Sequence, residues 1–241
     1  MSHPLLQRFP AYLAALLLAG LPFLVDLDCY DPALSVQLAF GGIVLTLIGI
    51  LAIPGFLMLR AGKLALAGIG AGVCLLGWSW YLTSASANPA EATIDLVRLA
   101  WLLCAATIAG AVCLRSPEGS TWLFRGMLVG ALLQIVLGGL QVAGLMEWPY
   151  ASTAAPYGSF PNKNLLSITL VLYAPGIAWL AMQPLKLWKW LARVALAGIV
   201  LLLLLTGTRS ALVGLAAGAV TVLPLMWPRL KNLRPFRKPG I

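Results

Sequence analysis

The chain has 241 residues, of which 61% are hydrophobic and only 10% are charged, with a formal net charge of +9 and a mean hydropathy of +0.95. A soluble domain of this length would carry about 25% charged residues, so the composition excludes a soluble globular fold. Long apolar runs recur from residue 10 to residue 227. They predict an all-α, polytopic transmembrane helical bundle that forms a single domain over residues 1–241.

About eight membrane spans are predicted. In chain order they cover residues 10–25, 33–59, 64–82, 96–114, 122–145, 164–183, 191–207 and 209–227. Several are near the minimum of about 20 residues that a bilayer requires. The first is treated as a retained helix, because acidic residues rather than a small-residue cleavage site follow it. An outer loop is expected at about 146–163, and a basic cytoplasmic tail at about 228–241.

The distribution of charges predicts the orientation. With the N-terminus in the cytoplasm, thirteen of the 16 lysines and arginines fall on the inner side, and six of the seven acidic residues fall outside. Both termini are then cytoplasmic, and the basic tail lies near anionic membrane lipids. Because topology accounts for most of the net charge, no nucleic-acid partner is expected.

Neither a metal nor a cofactor is expected. The four cysteines show no CxxC spacing, and three of them lie inside apolar runs. Buried free cysteines in such positions usually act as small apolar residues.

Three basic residues remain on the outer side. They are Arg98, Lys163 and Arg209. Arg98 follows Asp95 by three positions and would share a helix face with it, so a local ion pair is the simpler role. Contact with an anionic substrate is the alternative.

The segment GSFPNKN, residues 158–164, is the most polar stretch between two apolar runs. Asn162 or Asn164 could cap the sixth span, and Gly158 and Pro161 would shape the turn before it. The positive end of the helix dipole, beside Lys163, would then suit a phosphate. Capping alone would explain the asparagines, and snorkelling alone would explain the lysine.

The segment TGTRS, residues 206–210, joins the last two spans and holds Arg209 at the outer surface. A charge at a helix end is costly unless it snorkels, pairs or faces water, and no acid is adjacent in sequence. A guanidinium suits a phosphate or pyrophosphate, and Thr208 and Ser210 could add hydroxyl donors. Two cations on one leaflet surface, in a helical bundle, indicate an anionic lipid-linked ligand.

These two segments resemble motifs of the O-antigen ligase and O-antigen polymerase family of bacterial envelope proteins. The residues that carry the resemblance are GSFPNKN, 158–164, and LLLLLTGTRSALVG, 201–214. Their order and their separation by one helical hairpin also fit that family. The resemblance is sharp over about residues 155–215 and rests on hydropathy elsewhere.

The resemblance implies a metal-independent glycosyltransferase of the bacterial inner membrane. Such an enzyme takes a glycan from undecaprenyl pyrophosphate at the periplasmic face and transfers it to lipid A core or another acceptor. Arg209 would be the catalytic contact to the donor pyrophosphate. Lys163, Asn162, Asn164, Arg98, Thr208 and Ser210 would contribute to substrate binding.

The chain departs from the family pattern in one respect. Family members continue into a large periplasmic loop with a further arginine and a histidine, whereas the single histidine here is His3, at the predicted cytoplasmic end. The resemblance therefore implies the N-terminal portion of a ligase, a truncated product or a divergent short member. The alternatives are a non-catalytic fragment or subunit that binds a lipid-linked glycan and, third, a small permease.

Overall fold

The computed structural model describes residues 4–24, 40–51, 63–86, 88–115, 118–147 and 155–232. Within these segments all regular secondary structure is helical, which confirms the all-α prediction. The α-helices found there are α1 (Pro4–Gly20), α2 (Phe40–Leu51), α3 (Lys63–Ser84), α4 (Pro89–Arg115), α5 (Gly119–Val142), α6 (Lys163–Leu180), α7 (Lys186–Thr206) and α8 (Arg209–Asn232). A 3₁₀ turn, Leu21–Phe23, follows α1.

Three of the described helices, α5, α6 and α7, are long and apolar enough to cross a membrane. Four other apolar helical stretches are shorter, namely Arg8–Phe23, Phe40–Leu51, Leu99–Cys113 and Arg209–Val220. The chain is therefore compatible with a membrane protein, and the count of about eight spans stays a prediction. The central part of the predicted outer loop, 148–154, and residues 233–241 of the predicted tail lie outside the described residues.

The chain forms two compact units, Met1–Gly126 and Met127–Ile241, with the boundary inside α5. In the first unit, α1, α2, α4 and the start of α5 share one apolar core. Its buried members are Ala11, Ala14, Val44, Ile48, Val112 and Leu123. A Cβ on Gly126 would collide with the backbone of Ala15, so glycine is what lets α5 approach α1 this closely. The single domain expected over residues 1–241 stays a prediction.

In the second unit, α6 contacts both α7 and α8. The largest side chains that are fully buried there include Leu128, Leu166, Leu170, Ile177, Leu180, Ile199 and Leu203. Two glycines allow α5 and α7 to lie close together. A Cβ on Gly198 would lie 2.8 Å from the Ile135 side chain, and one on Gly138 would lie 3.1 Å from Leu202.

The second unit has an apolar exterior and a partly polar interior. Exposed apolar side chains on its helices include Val129, Leu133, Val136, Leu140, Ile168, Leu172, Val194, Leu201 and Leu204. Among the residues whose burial the structure describes, the buried polar side chains of this unit are Gln134, Gln141, Ser159, Ser167, Thr206 and Thr208. A large exposed apolar surface marks contact with lipid or a partner, and the polar interior explains how the helices recognise one another.

Candidate anion site

The GSFPNKN segment leads into α6 through an asparagine cap. Asn162 has extended backbone dihedrals, φ −150° and ψ 158°, and its side-chain oxygen accepts hydrogen bonds from the backbone N–H groups of Asn164 (3.1 Å) and Leu165 (3.0 Å). This is the standard way to satisfy orphan donors at a helix start. Of the two asparagines considered from the sequence, Asn162 is therefore the cap of α6. The Asn164 side chain does not take part in the cap.

The TGTRS segment forms a two-residue turn between α7 and α8. Gly207 adopts φ +63°, in the left-handed region, and its N–H bonds the Leu204 carbonyl at 3.2 Å. This glycine ends α7 in the conformation that a Cβ disfavours. The Thr208 carbonyl then accepts from the backbone N–H groups of Ala211 (3.1 Å) and Leu212 (3.2 Å), so α8 starts at Arg209.

A buried set of hydroxyl groups joins the two segments. The Ser167 hydroxyl donates to the Lys163 carbonyl over 2.8 Å and lies 3.1 Å from the Thr206 hydroxyl and 3.2 Å from the Thr208 hydroxyl. Thr208 in turn donates to the Asn164 side-chain oxygen over 3.4 Å. The structure therefore brings together two motifs that are more than 40 positions apart in sequence.

The junction places the N-termini of α6 and α8 at the same end of the second unit. The first residue of α6 is Lys163 and the first residue of α8 is Arg209. Each helix start carries the positive end of a macrodipole, and each adds a full positive charge there. Two helix starts with a lysine and an arginine make this end of the unit strongly attractive to an anion.

Arg209 is available to a ligand. Its side chain is exposed, and within the described part of the chain it forms neither an ion pair nor a hydrogen bond. Lys163 is half-buried and does have an interaction within the protein. Of the two cations, Arg209 is therefore better placed to bind a phosphate, through two N–H groups of its guanidinium.

Two glutamines that the sequence analysis did not single out hold the loop before α6. The Gln141 side-chain oxygen accepts from the N–H groups of Tyr157 (3.0 Å) and Gly158 (2.8 Å), and its Nε2 donates to the Gly158 carbonyl (2.6 Å). The Gln134 oxygen accepts from the Ser159 N–H (2.9 Å), and its Nε2 donates to the Ser159 hydroxyl (2.6 Å). The signal that could have revealed them is a pair of amides seven positions apart within an apolar span.

The remaining predicted site residues behave differently. Thr208 is buried and forms part of the junction, whereas Ser210 is exposed in the first turn of α8. Arg98 lies on α4, in the first unit, and its side chain lies outside what the structure describes.

Gly158 was expected to shape the turn, and it does, because its φ is +63°. A Cβ there would also collide with the Gln134 side-chain oxygen. Within the described residues no group of three or more His, Cys, Asp or Glu side chains lies together.

The chain was compared with protein-family models, with curated proteins and with solved structures, and no match was found in any of the three comparisons.

Proposed function

We propose that the protein is an O-antigen ligase-like membrane glycosyltransferase. In this proposal it takes a glycan from undecaprenyl pyrophosphate at the periplasmic face and transfers it to lipid A core or another acceptor. The observation that supports the proposal most is the hydrogen-bonded junction from Asn164 to Thr208. The two motifs that carry the family resemblance belong to one site in the folded chain, and each contributes a helix start and a basic residue.

The diphosphate of the donor is the natural ligand for such a site. When the bond between the glycan and the phosphate oxygen breaks, negative charge develops on the leaving pyrophosphate. The Arg209 fork can bind two of its oxygens, and Lys163 and the two helix dipoles add positive potential. Donors aimed at the place where charge develops lower the barrier to the reaction, so Arg209 has the catalytic role.

The orientation proposed for the chain has eight spans, with the site on the outer side and both termini in the cytoplasm. Two contacts support this orientation, because each joins residues assigned to the same side. Asn164 and Thr208 are both assigned to the outside, and Arg8 and Glu118, which form an ion pair of 3.2 Å, are both assigned to the inside. Lysine and arginine bias supplies the direction. The protein is then a multi-pass protein of the bacterial inner membrane.

A second candidate is a subunit that binds the lipid-linked glycan without turning it over. The observation that favours it is the chemistry of the described junction, which consists of hydroxyls, amides and cations. Transfer to an acceptor hydroxyl calls for a general base, most often a histidine or a carboxylate. In residues 127–241 the sequence offers one acid, Glu147, and no histidine.

A reconstituted transfer assay separates the two candidates. The purified chain is placed in liposomes with a labelled undecaprenyl-pyrophosphate-linked glycan and lipid A core, and the label on the acceptor is measured. Transfer that is lost in Arg209→Ala and kept in Arg193→Ala supports the transferase. Arg193 is the matched control because it is an exposed arginine near the other end of α7. Donor binding without transfer supports the second candidate, and a chain that neither binds nor transfers the glycan contradicts both.

A further inference from the structure

The segment from Pro156 to Phe160 is not helical, yet every one of its residues is buried. Ser159 is 0% exposed and contacts Gln134, which lies eight residues before the end of α5 at Val142. At 1.5 Å of rise per residue, the backbone of Gln134 is about 12 Å back along the helix from its end. Gln141, one residue before that end, bonds Tyr157 and Gly158 of the same segment, so the segment lies beside the part of α5 between the two glutamines. The segment therefore runs alongside α5 instead of passing over its end.

The face of α5 that this segment leaves uncovered is apolar and exposed along the same stretch of the helix. Leu133, Val136 and Leu140 are exposed by 47%, 61% and 36%, and they span the stretch between the two glutamines. A helix surface of this kind suits lipid acyl chains. Non-helical backbone at such a depth is tolerated only where it is buried in protein and its polar groups find partners there.

Gln134 and Gln141 supply those partners. They are 1% and 5% exposed, and each uses both the oxygen and the nitrogen of its amide on the segment. Between them they satisfy the N–H groups of Tyr157, Gly158 and Ser159. Three residues later Asn162 caps α6, so the position of Lys163 follows from where the segment is held.

We propose that Gln134 and Gln141 are positioning residues that hold Tyr157–Ser159 as a re-entrant segment within the membrane. They thereby place the start of α6, with Lys163, for the diphosphate. The part of this proposal that concerns the diphosphate rests on the function proposed above. The part that concerns the segment rests on the hydrogen bonds and on the depth along α5.

The proposal depends on a chemical property of the glutamine side chain. Leucine has a similar size but can neither donate nor accept a hydrogen bond. An ionised glutamate can accept hydrogen bonds from the N–H groups, but its negative charge would repel the Gly158 carbonyl oxygen. A neutral glutamic acid can do both, since it carries one O–H donor and an acceptor oxygen.

The test uses the full chain in lipid nanodiscs and undecaprenyl pyrophosphate as the probe. Gln134→Leu and Gln141→Leu are each expected to weaken binding by about tenfold or more, because a buried N–H is left without a partner. Gln183→Leu makes the same change in the turn after α6 and is expected to leave affinity unchanged. Hydrogen–deuterium exchange over residues 156–160 is expected to accelerate in the first two variants and not in the third.

A Gln141→Glu variant adds a readout that general destabilisation would not produce. Burial disfavours the charged form of a carboxyl, so this side chain is neutral at low pH and ionised at higher pH. At low pH the Gln141→Glu variant should therefore bind undecaprenyl pyrophosphate as tightly as the unmodified chain. The ratio of its affinity to that of the unmodified chain should fall as pH rises. A ratio that does not change with pH would overturn the role assigned to Gln141.

The outcomes separate this inference from the proposed function. Unchanged exchange over residues 156–160 in both leucine variants overturns the re-entrant segment. Faster exchange with unchanged affinity overturns the positioning role, and it leaves the proposed function in place if Arg209→Ala still weakens binding. Faster exchange, together with an Arg209→Ala variant that binds normally, supports the segment and contradicts the proposed function.

Discussion

The Thr208 hydroxyl donates a hydrogen bond to the Asn164 side-chain oxygen over 3.4 Å, across 44 positions of sequence. Ser167, one turn further into α6, lies 3.2 Å from the same threonine hydroxyl. These contacts link the start of α6 at Lys163 to the start of α8 at Arg209. The site is thus organised by neutral hydroxyl and amide groups, and the charges stand at its surface.

The first prediction concerns this junction. Ser167→Ala and Thr208→Val should each lower the free energy of unfolding by about 1 kcal/mol, the usual net value of a hydrogen bond. The double variant should lose less than the two single losses together, because the two hydroxyls contact each other. Unfolding in detergent measures the coupling. Thr107→Val serves as the control, because its hydroxyl bonds the Leu103 carbonyl within α4. If the stability losses of Ser167→Ala and Thr208→Val simply add in the double variant, the coupling is contradicted.

The second prediction concerns the α6 cap. Asn162→Ala should destabilise the protein by about 1 kcal/mol, because two backbone N–H groups lose their acceptor, whereas Asn162→Asp should keep most of the stability. Asn164→Ala should leave the cap intact, since its side chain bonds Thr208 instead. Thermal unfolding of the three variants provides the comparison. Equal losses at positions 162 and 164 would argue against Asn162 as the cap.

The third prediction concerns Gly158. Gly158→Ala should cost more than about 1 kcal/mol, because an L-residue is strained at φ +63° and its Cβ would collide with Gln134. Gly139→Ala, in α5, is the matched control, since nothing lies within 4 Å of the added Cβ and alanine favours a helix. The denaturation midpoint of Gly158→Ala should therefore fall, whereas that of Gly139→Ala should rise or stay unchanged. A neutral Gly158→Ala variant would contradict the strained turn.

The fourth prediction concerns sidedness. In a variant whose native cysteines are replaced by alanine, Ser210→Cys should react with a membrane-impermeant maleimide added from the outside of intact cells. Ser210 is suitable because it is exposed and adjoins Arg209. Arg193→Cys, an exposed position near the opposite end of α7, should react only after the cells are permeabilised. Reversed labelling of the two positions would show that the site faces the cytoplasm.

Local chemistry explains which parts of this fold could be predicted. The apolar runs indicated the helices, and the bounds of α6 and α7 agree with the predicted spans to within a few residues because polar turns flank them. A role for Gly158 in the turn was also predicted, as was a cap on this helix from Asn162 or Asn164, because turns and helix caps favour particular residue types. The sequence did not decide between the two asparagines.

What could not be predicted depends on contacts between distant segments. Gln134 and Gln141 lie in an apolar helix, and hydropathy alone does not distinguish a glutamine that faces a loop from one that faces another helix. Their partners are 16 to 25 positions away. The pairing of Ser167 with Thr208 likewise exists only because α6 packs against α8. The sequence suggested that Lys163 and Arg209 share a membrane side, and the packing of α6 with α8 is what joins their two motifs.

The most direct test of the account is equilibrium binding of undecaprenyl pyrophosphate to the purified chain in lipid nanodiscs. Arg209→Ala should weaken binding by about tenfold or more, the range for losing a hydrogen bond to a charged group, and Arg209→Lys should recover part of it because the charge returns without the fork. Arg193→Ala should bind as the unmodified chain does. If Arg209→Ala binds as tightly as the unmodified chain, the guanidinium does not receive the diphosphate, and the central claim is wrong.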